Sequence, residues 1–362
     1  MLKDSLRNRR CILVCGGGGV GKTTLSASIA LAATLYHSRV LVVTIDPAKR
    51  LAEAFGFEMS DLEKIGAPLE ITAEKKQKLG MSEGASLSVG ILNPKYVLTE
   101  ILEQVLDEHQ RKKLTGTLLY GQLSEMIYGL QEYTAYEWVT RMLKENRYDL
   151  IILDTPPAFH AKDFFSAPER ITRLMESKVF QIFAPRKSWF FSGFISFTWL
   201  EKLLGEKVYQ ESRVFFETFT ALRDRILERC QLLAQFFAQQ EVEVIAVTTP
   251  ESSAIHELEG LSRFLAQKSI RLQTIILNQV EVAQEAEQDL ELKTGSGHQD
   301  SALVEKVNAL RKMRNQKAKH AQVAAAALKE SHPGVEVIMV PMTYSEDGFE
   351  ILKTAAAQIN ET

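Results

Sequence analysis

Apolar positions along this chain follow two periods. Short, mostly apolar runs, most of them closed by glycine, aspartate, asparagine or proline, alternate with longer stretches of helical spacing. Cys11 to Cys15, Val40 to Ile45, Tyr148 to Asp154, Val242 to Thr248, Leu272 to Leu277 and Val335 to Val340 are runs of the first kind, and Leu87 to Leu92 is a further candidate. Continuous, β-branched runs of this length read as strands covered on both faces, the pattern of a parallel sheet. Helical spacing fills Lys22 to about Tyr36, Lys49 to Phe57, Ser252 to Lys268 and Gly348 to Ile359. The predicted fold is therefore α/β, a mostly parallel, doubly wound sheet with helices on both faces.

Two long stretches break the alternation. From Tyr96 to about Lys144 charged residues interleave with Leu98, Ile101, Leu102, Val105, Leu114, Trp138, Val139 and Leu143 at helical spacing. Pro168 to Gln239 is again helical and carries Phe180, Phe183, Trp189, Phe190, Phe191, Phe194, Phe197 and Trp199, then Phe215, Phe216 and Phe219. A helical insertion subdomain over 93–145 and 169–239 follows, set into a core formed by 1–92, 146–168 and 240–362. The aromatic cluster has two readings. It is the core of that subdomain, the commoner fate of aromatics at helical spacing, or a groove for an apolar protein segment. Residues 281–330 are strongly charged and broken at Gly295-Ser-Gly297, which predicts two long helices joined by a turn. Ser60 to Gly84 carries no clear period.

Composition narrows the class without changing the fold. At 362 residues the chain suits roughly two domains, and a hydrophobic share of 45% with a net charge of −3 points to no nucleic-acid partner. The three cysteines, Cys11, Cys15 and Cys230, form no C-x-x-C pair and have no histidines at zinc-ligand spacing, so a reducing, cytoplasmic setting is the expectation. The polar, basic Met1 to Arg10 and the short run after it do not make a signal peptide. Ser188 to Leu200, the longest uncharged apolar run elsewhere, falls short of the roughly 20 residues of a membrane helix, so no stable membrane insertion is expected.

The candidate chemistry begins where the first strand ends. Gly16, Gly17, Gly18, Gly19, Val20, Gly21, Lys22, Thr23 and Thr24 satisfy G-x-x-x-x-G-K-[ST], with a strand before and a helix after. In such a loop backbone N–H groups turn inward onto phosphate oxygens, and the helix N-terminus favours negative charge. Lys22 would reach the β- and γ-phosphates of a nucleotide, and the Thr23 hydroxyl would join Mg²⁺. Two strands end in aspartate. Asp46, in Thr44-Ile-Asp-Pro-Ala48, emerges at the carboxyl edge, where ligands bind in open α/β sheets; in isolation such a residue is as often a turn or helix cap. Asp154, in Leu153-Asp-Thr-Pro-Pro157, has the placement for holding Mg²⁺ through Thr23 and waters. Thr155 to Phe164 would be a loop that senses the γ-phosphate, with His160 and Asp163 in it.

Together with Leu277-Asn-Gln279, these motifs resemble, in order and spacing from residue 11 to the end, the arsenical-pump and tail-anchored-protein-targeting ATPase family. That family lies among the dimeric P-loop ATPases with a deviant Walker A motif. The resemblance implies ATP and Mg²⁺ as cofactors. It implies Asp46 as the aspartate that orients the attacking water, with a place near the metal, and Asp154 as the aspartate on the magnesium side. Asn278 would recognise adenine, and the segment after Pro341 would close over the base. It also implies a nucleotide-dependent dimer and an ATP-driven switch coupled to the helical subdomain; an apolar protein client would follow from the aromatic cluster.

Two departures stand out. The family's motif begins Gly-Lys-Gly-Gly, its lysine reaching the partner's phosphates, and here that position is Gly17. Slow hydrolysis, a lysine from a different partner subunit, and Lys49 or Arg50 beside Asp46 all remain open. The alternative function is a weakly hydrolysing nucleotide-binding subunit of a heterodimer with a lysine-bearing paralogue. The second departure is the absent C-x-x-C pair, which removes the zinc bridge of the tail-anchored targeting branch; the arsenite-binding cysteine cluster has no counterpart either, which disfavours arsenite pumping.

Overall fold

The computed structural model describes residues 2–45, 50–57, 68–104, 106–117, 130–155, 158–177, 205–236, 241–283 and 301–361. Its centre is an eight-stranded sheet: β1 (Cys11–Gly16), β2 (Arg39–Thr44), β3 (Leu69–Glu70), β4 (Ser86–Ile91), β5 (Leu150–Asp154), β6 (Val242–Thr248), β7 (Leu272–Val280) and β8 (Glu336–Pro341). They lie in the order β3-β4-β2-β5-β1-β6-β7-β8. β2, β5, β1, β6, β7 and β8 run parallel, and the two-residue β3 pairs antiparallel with β4. Every residue of β1, β5 and β6 is buried. That explains why these strands are apolar on both faces instead of alternating. Placing β1 between β5 and β6 puts the strand that feeds the glycine loop at the middle of the sheet.

The chain folds into two compact units. The first comprises Met1–Gly90, Tyr148–Ala161 and Gln240–Thr362, and contains the sheet. Its core joins the inner residues of β1, β2 and β5 to the helix Lys22–Ala33 and to the last helix, Gly348–Glu361, through Ile29, Ala33, Leu352 and Ile359. In the stretch without a clear period the structure holds β3 and a helix, Ala73–Leu79. Thr72 caps that helix through the Lys75 N–H, and Gly80 closes it at φ 69°. Its apolar content is too small to register as a pattern; the caps were the available signal.

The second unit, Ile91–Arg147 and Lys162–Gln239, contributes helices Pro94–Glu103, Glu108–Thr115, Leu130–Lys144 and Glu206–Phe236. The expected sensing loop at 155–164 is corrected here. Ala158 already starts a helix that runs to Glu176 with Pro168 inside it. Phe164, Ala167, Ile171 and Met175 are buried along one side of this helix, a helical seam that overrides a loop. Pro168 cannot donate to the carbonyl four residues back, that of Phe164. The Tyr136 hydroxyl donates to that carbonyl at 3.1 Å, and the two rings pack with centroids 4.3 Å apart. The orphaned acceptor is thereby satisfied from a neighbouring helix.

Of the expected pair of helices at 281–330, one is seen, Ser301–Ser331, while Gly295 to Gly297 lie outside the described residues. So do the aromatics from Phe180 to Trp199. No helix among the described residues is long and apolar enough to cross a membrane.

Candidate functional site

At the end of β1 the backbone can turn only because glycine occupies it. A Cβ at Gly16 would overlap the Val247 carbonyl of β6, and Gly19 and Gly21 take φ values of 76° and 87°, which other residues avoid. Gly21 is the N-cap of the helix Lys22–Ala33. No side chain caps that helix and its first turn contains no acidic residue, so its N–H groups and positive dipole end are left to an anion. Gly18 and Gly19 are exposed, and Val20 folds inward as the loop's apolar anchor. Lys22 is buried and curls back, its Nζ donating to the Gly17 carbonyl at 2.6 Å. Thr24 is half-buried in the same first turn, its carbonyl accepting from the Ser28 hydroxyl at 2.9 Å.

Asp154 ends β5 and is 1% exposed. The Thr23 hydroxyl donates to its Oδ2 at 2.9 Å, the Thr44 hydroxyl to the same oxygen at 3.1 Å, and the Ser26 hydroxyl to Oδ1 at 3.1 Å. Burial pushes this carboxyl above the usual aspartate range; the hydroxyls of Thr23, Thr44 and Ser26, and the charge of Lys22, pull the other way. Ser26 and Thr44 were not among the residues singled out from the sequence. Ser26 had a faint signal, three residues after Thr23 on the same helix face; Thr44 is joined to Asp154 only by the register of β2 with β5.

On the other side of the loop, β7 carries an irregularity. Its register with β8 shifts between Leu277 and Val280, and Gln279 takes φ 58°. The bulge turns two consecutive amides onto the loop: Asn278 Nδ2 donates to the Val20 carbonyl at 2.8 Å, and Gln279 Nε2 to the Gly19 carbonyl at 3.4 Å. Pro341 is half-buried at the end of β8 opposite Val280, and the Met342 N–H donates to the Val280 carbonyl at 2.9 Å.

The structure thus gathers residues 16–24, Asp154 and Asn278 around one loop. Asp46, with its neighbours Pro47 to Lys49, lies outside the described residues. Asp163 is in the helix that replaces the sensing loop, paired with Arg170 further along the same helix, and His160 is in that helix too. At Gly17 a Cβ would overlap the Glu257 carboxylate, which projects from the helix Ser252–Gln267. Cys11 and Cys15 are buried in β1 with thiols pushed up to about 12 by burial, which keeps them protonated and unreactive.

A profile described as anion-transporting ATPase matches residues 9–361. "ATPase ASNA1 homolog 1" of Paramecium tetraurelia is 25% identical over 284 residues, 77% of this chain and 78% of that protein. "ATPase GET3" of Malassezia globosa is 25% identical over 269 residues, 74% of this chain and 72% of its own length. "ATPase get3" of Schizosaccharomyces pombe reaches 29% identity over a shorter stretch of 157 residues, 43% of each chain.

Proposed function

This chain belongs to the anion-transporting ATPase family, and from that premise we propose that it binds ATP with Mg²⁺ at residues 16–24 and hydrolyses it, using nucleotide state to drive a dimeric switch. The observation that carries this reading is the Asp154 cluster: a buried carboxylate at a strand's carboxyl end, tied to the threonine of the phosphate loop. Thr23 and Asp154 offer hard oxygen donors and no sulfur or imidazole, a set that suits Mg²⁺. When bound there, the metal would neutralise charge on the β- and γ-phosphates. The loop amides and Lys22 stabilise the equatorial oxygens of the transferring phosphoryl group. Asp46 places the water that attacks phosphorus as the bond to the ADP oxygen breaks. The family resemblance would put adenine against Asn278 and the segment after Pro341. In this reading residues 93–145 and 169–239 form the helical subdomain that responds, with an apolar protein segment as its client.

The test is Asp46→Asn. ATP binding stays nearly intact and turnover disappears; hydrolysis at the native rate in that variant excludes the assigned role.

Gly17 favours a second reading. Where the family has its cross-subunit lysine this chain has glycine, and the carboxylate end of Glu257 lies where a side chain there would begin. A subunit that binds ATP but hydrolyses it weakly, paired with a lysine-bearing paralogue, fits that feature. Mass in solution with ATP and Mg²⁺, measured alongside phosphate release, separates the two: brisk turnover in a homodimer excludes the paralogue.

A further inference from the structure

A phosphate loop that aims its N–H groups inward must aim its carbonyls outward, and each outward carbonyl needs a donor. Here the donors come from another part of the sheet. Asn278 Nδ2 donates to the Val20 carbonyl at 2.8 Å and Gln279 Nε2 to the Gly19 carbonyl at 3.4 Å. Three features show that this contact is built into the fold. The two residues lie beyond the last pair of β7 with β6, Thr248 with Leu277, and inside the register shift toward β8, where the regular pairing is interrupted. Gln279 adopts φ 58°, a left-handed conformation that a non-glycine residue rarely takes and that surrounding contacts must support. The Asn278 amide is buried and lies so close to Gly21 that a Cβ there would overlap Nδ2.

From this geometry we propose that Asn278, assisted by Gln279, is a positioning residue for the phosphate loop: it orders the glycine-rich backbone for polyphosphate whatever base is attached. The proposal rests on the reading of residues 16–24 as a phosphate site and differs from a role for Asn278 in reading adenine. Its physical basis is entropy. Residues 16–21 contain five glycines, which lose the most conformational freedom on ordering. Two side-chain hydrogen bonds made ahead of binding reduce that cost at the moment a ligand arrives. The 2.8 Å bond to Val20 carries most of the effect, and the longer bond to Gly19 adds less.

The deciding experiment is calorimetric titration of the full chain with Mg²⁺ and inorganic tripolyphosphate, which has no base, alongside ATP and GTP. Asn278→Ala weakens all three by a common factor of about three to ten, the range expected for one lost hydrogen bond. Gln279→Ala, which keeps the backbone demand and removes only the amide, weakens them by less than about threefold. Hydrogen exchange gives a readout that base recognition would not move: amides of residues 16–22 exchange faster in both variants. If Asn278→Ala lowers ATP affinity while tripolyphosphate binding and loop exchange stay native, Asn278 reads the base and the proposal falls. Should Asn278→Ala not fold, Gln279→Ala decides by hydrogen exchange, and unchanged loop protection overturns the proposal. A native chain that binds neither ATP nor tripolyphosphate removes the phosphate site itself, an outcome separate from native binding with unaffected variants.

Discussion

Two strands flank β1, and each buries one carboxylate. Asp154 stands at the carboxyl end of β5 opposite Val14, and Glu243 near the amino end of β6 opposite Ile12. Burial raises both above the ordinary range for their type. Their neighbours differ. Asp154 is met by three hydroxyls and faces the glycine loop. Glu243 accepts from the Thr274 hydroxyl at 3.1 Å and from the Ser5 hydroxyl, pairs with the Arg9 guanidinium at 3.6 Å and faces Glu336, whose Oε2 accepts the Leu2 N–H at 2.6 Å. That cluster ties the first helix, Leu2–Asn8, to the amino edge of the sheet. Burial and a raised pKa are common to both carboxylates; the proposed role of Asp154 rests instead on its position at the carboxyl edge and on neutral hydroxyl partners that can turn from the carboxylate to a ligand.

The contrast is broken or sharpened by substitution. The largest effect is expected for Lys22→Ala, which removes the buried ammonium of the loop; phosphate release from ATP falls by about 10³-fold or more, checked by single-turnover rates. Asp154→Asn follows, with turnover down by about 10²-fold. It does not lower the melting temperature of the unliganded chain, because the change removes a desolvated charge and keeps the size. Third, Gly17→Lys alone changes turnover by less than about threefold, since the new ammonium finds Glu257 of its own subunit. Adding Glu257→Gln frees it, and the double variant runs at least about tenfold faster than Gly17→Lys, a small part of what a full cross-subunit cation supplies. Equal rates would show that no partner phosphate is within reach.

The smallest effect belongs to Glu243→Gln. The folded carboxyl keeps its proton above the ordinary value of 4.5, whereas the unfolded chain releases it there. Between those two values the folded state binds more protons, so Glu243 makes stability fall as pH rises. Replacing it with Gln flattens that dependence. At neutral pH it raises stability by about 1 kcal/mol or less, because a desolvated acid becomes neutral while Arg9 keeps contact with solvent, and it leaves ATP binding native. Denaturant midpoints across pH check this, and a loss of ATP affinity would erase the distinction between the two carboxylates.

The loop and its two flanking elements were legible in the sequence because glycine spacing, an apolar run and the Lys-Thr pair each permit few alternatives. Asp154 was legible as a strand-ending acid. Ser26 and Thr44 were hidden by their surroundings, since a serine within a buried helix and a threonine within a buried strand look like packing residues until register joins them to Asp154. The amide contacts of Asn278 and Gln279 depend on a bulge and a positive φ at Gln279, which no propensity of Leu-Asn-Gln announces. At Ala158 the failure went the other way: an expected functional loop masked a helical seam written plainly in Phe164, Ala167, Ile171 and Met175.

The most direct measurement is the equilibrium affinity for ATP with and without Mg²⁺, in the native chain and in Asp154→Asn. Mg²⁺ is expected to tighten ATP binding to the native chain by at least about tenfold, about 1.4 kcal/mol. In Asp154→Asn that gain disappears while metal-free binding persists. The same magnesium dependence in both chains would contradict this expectation.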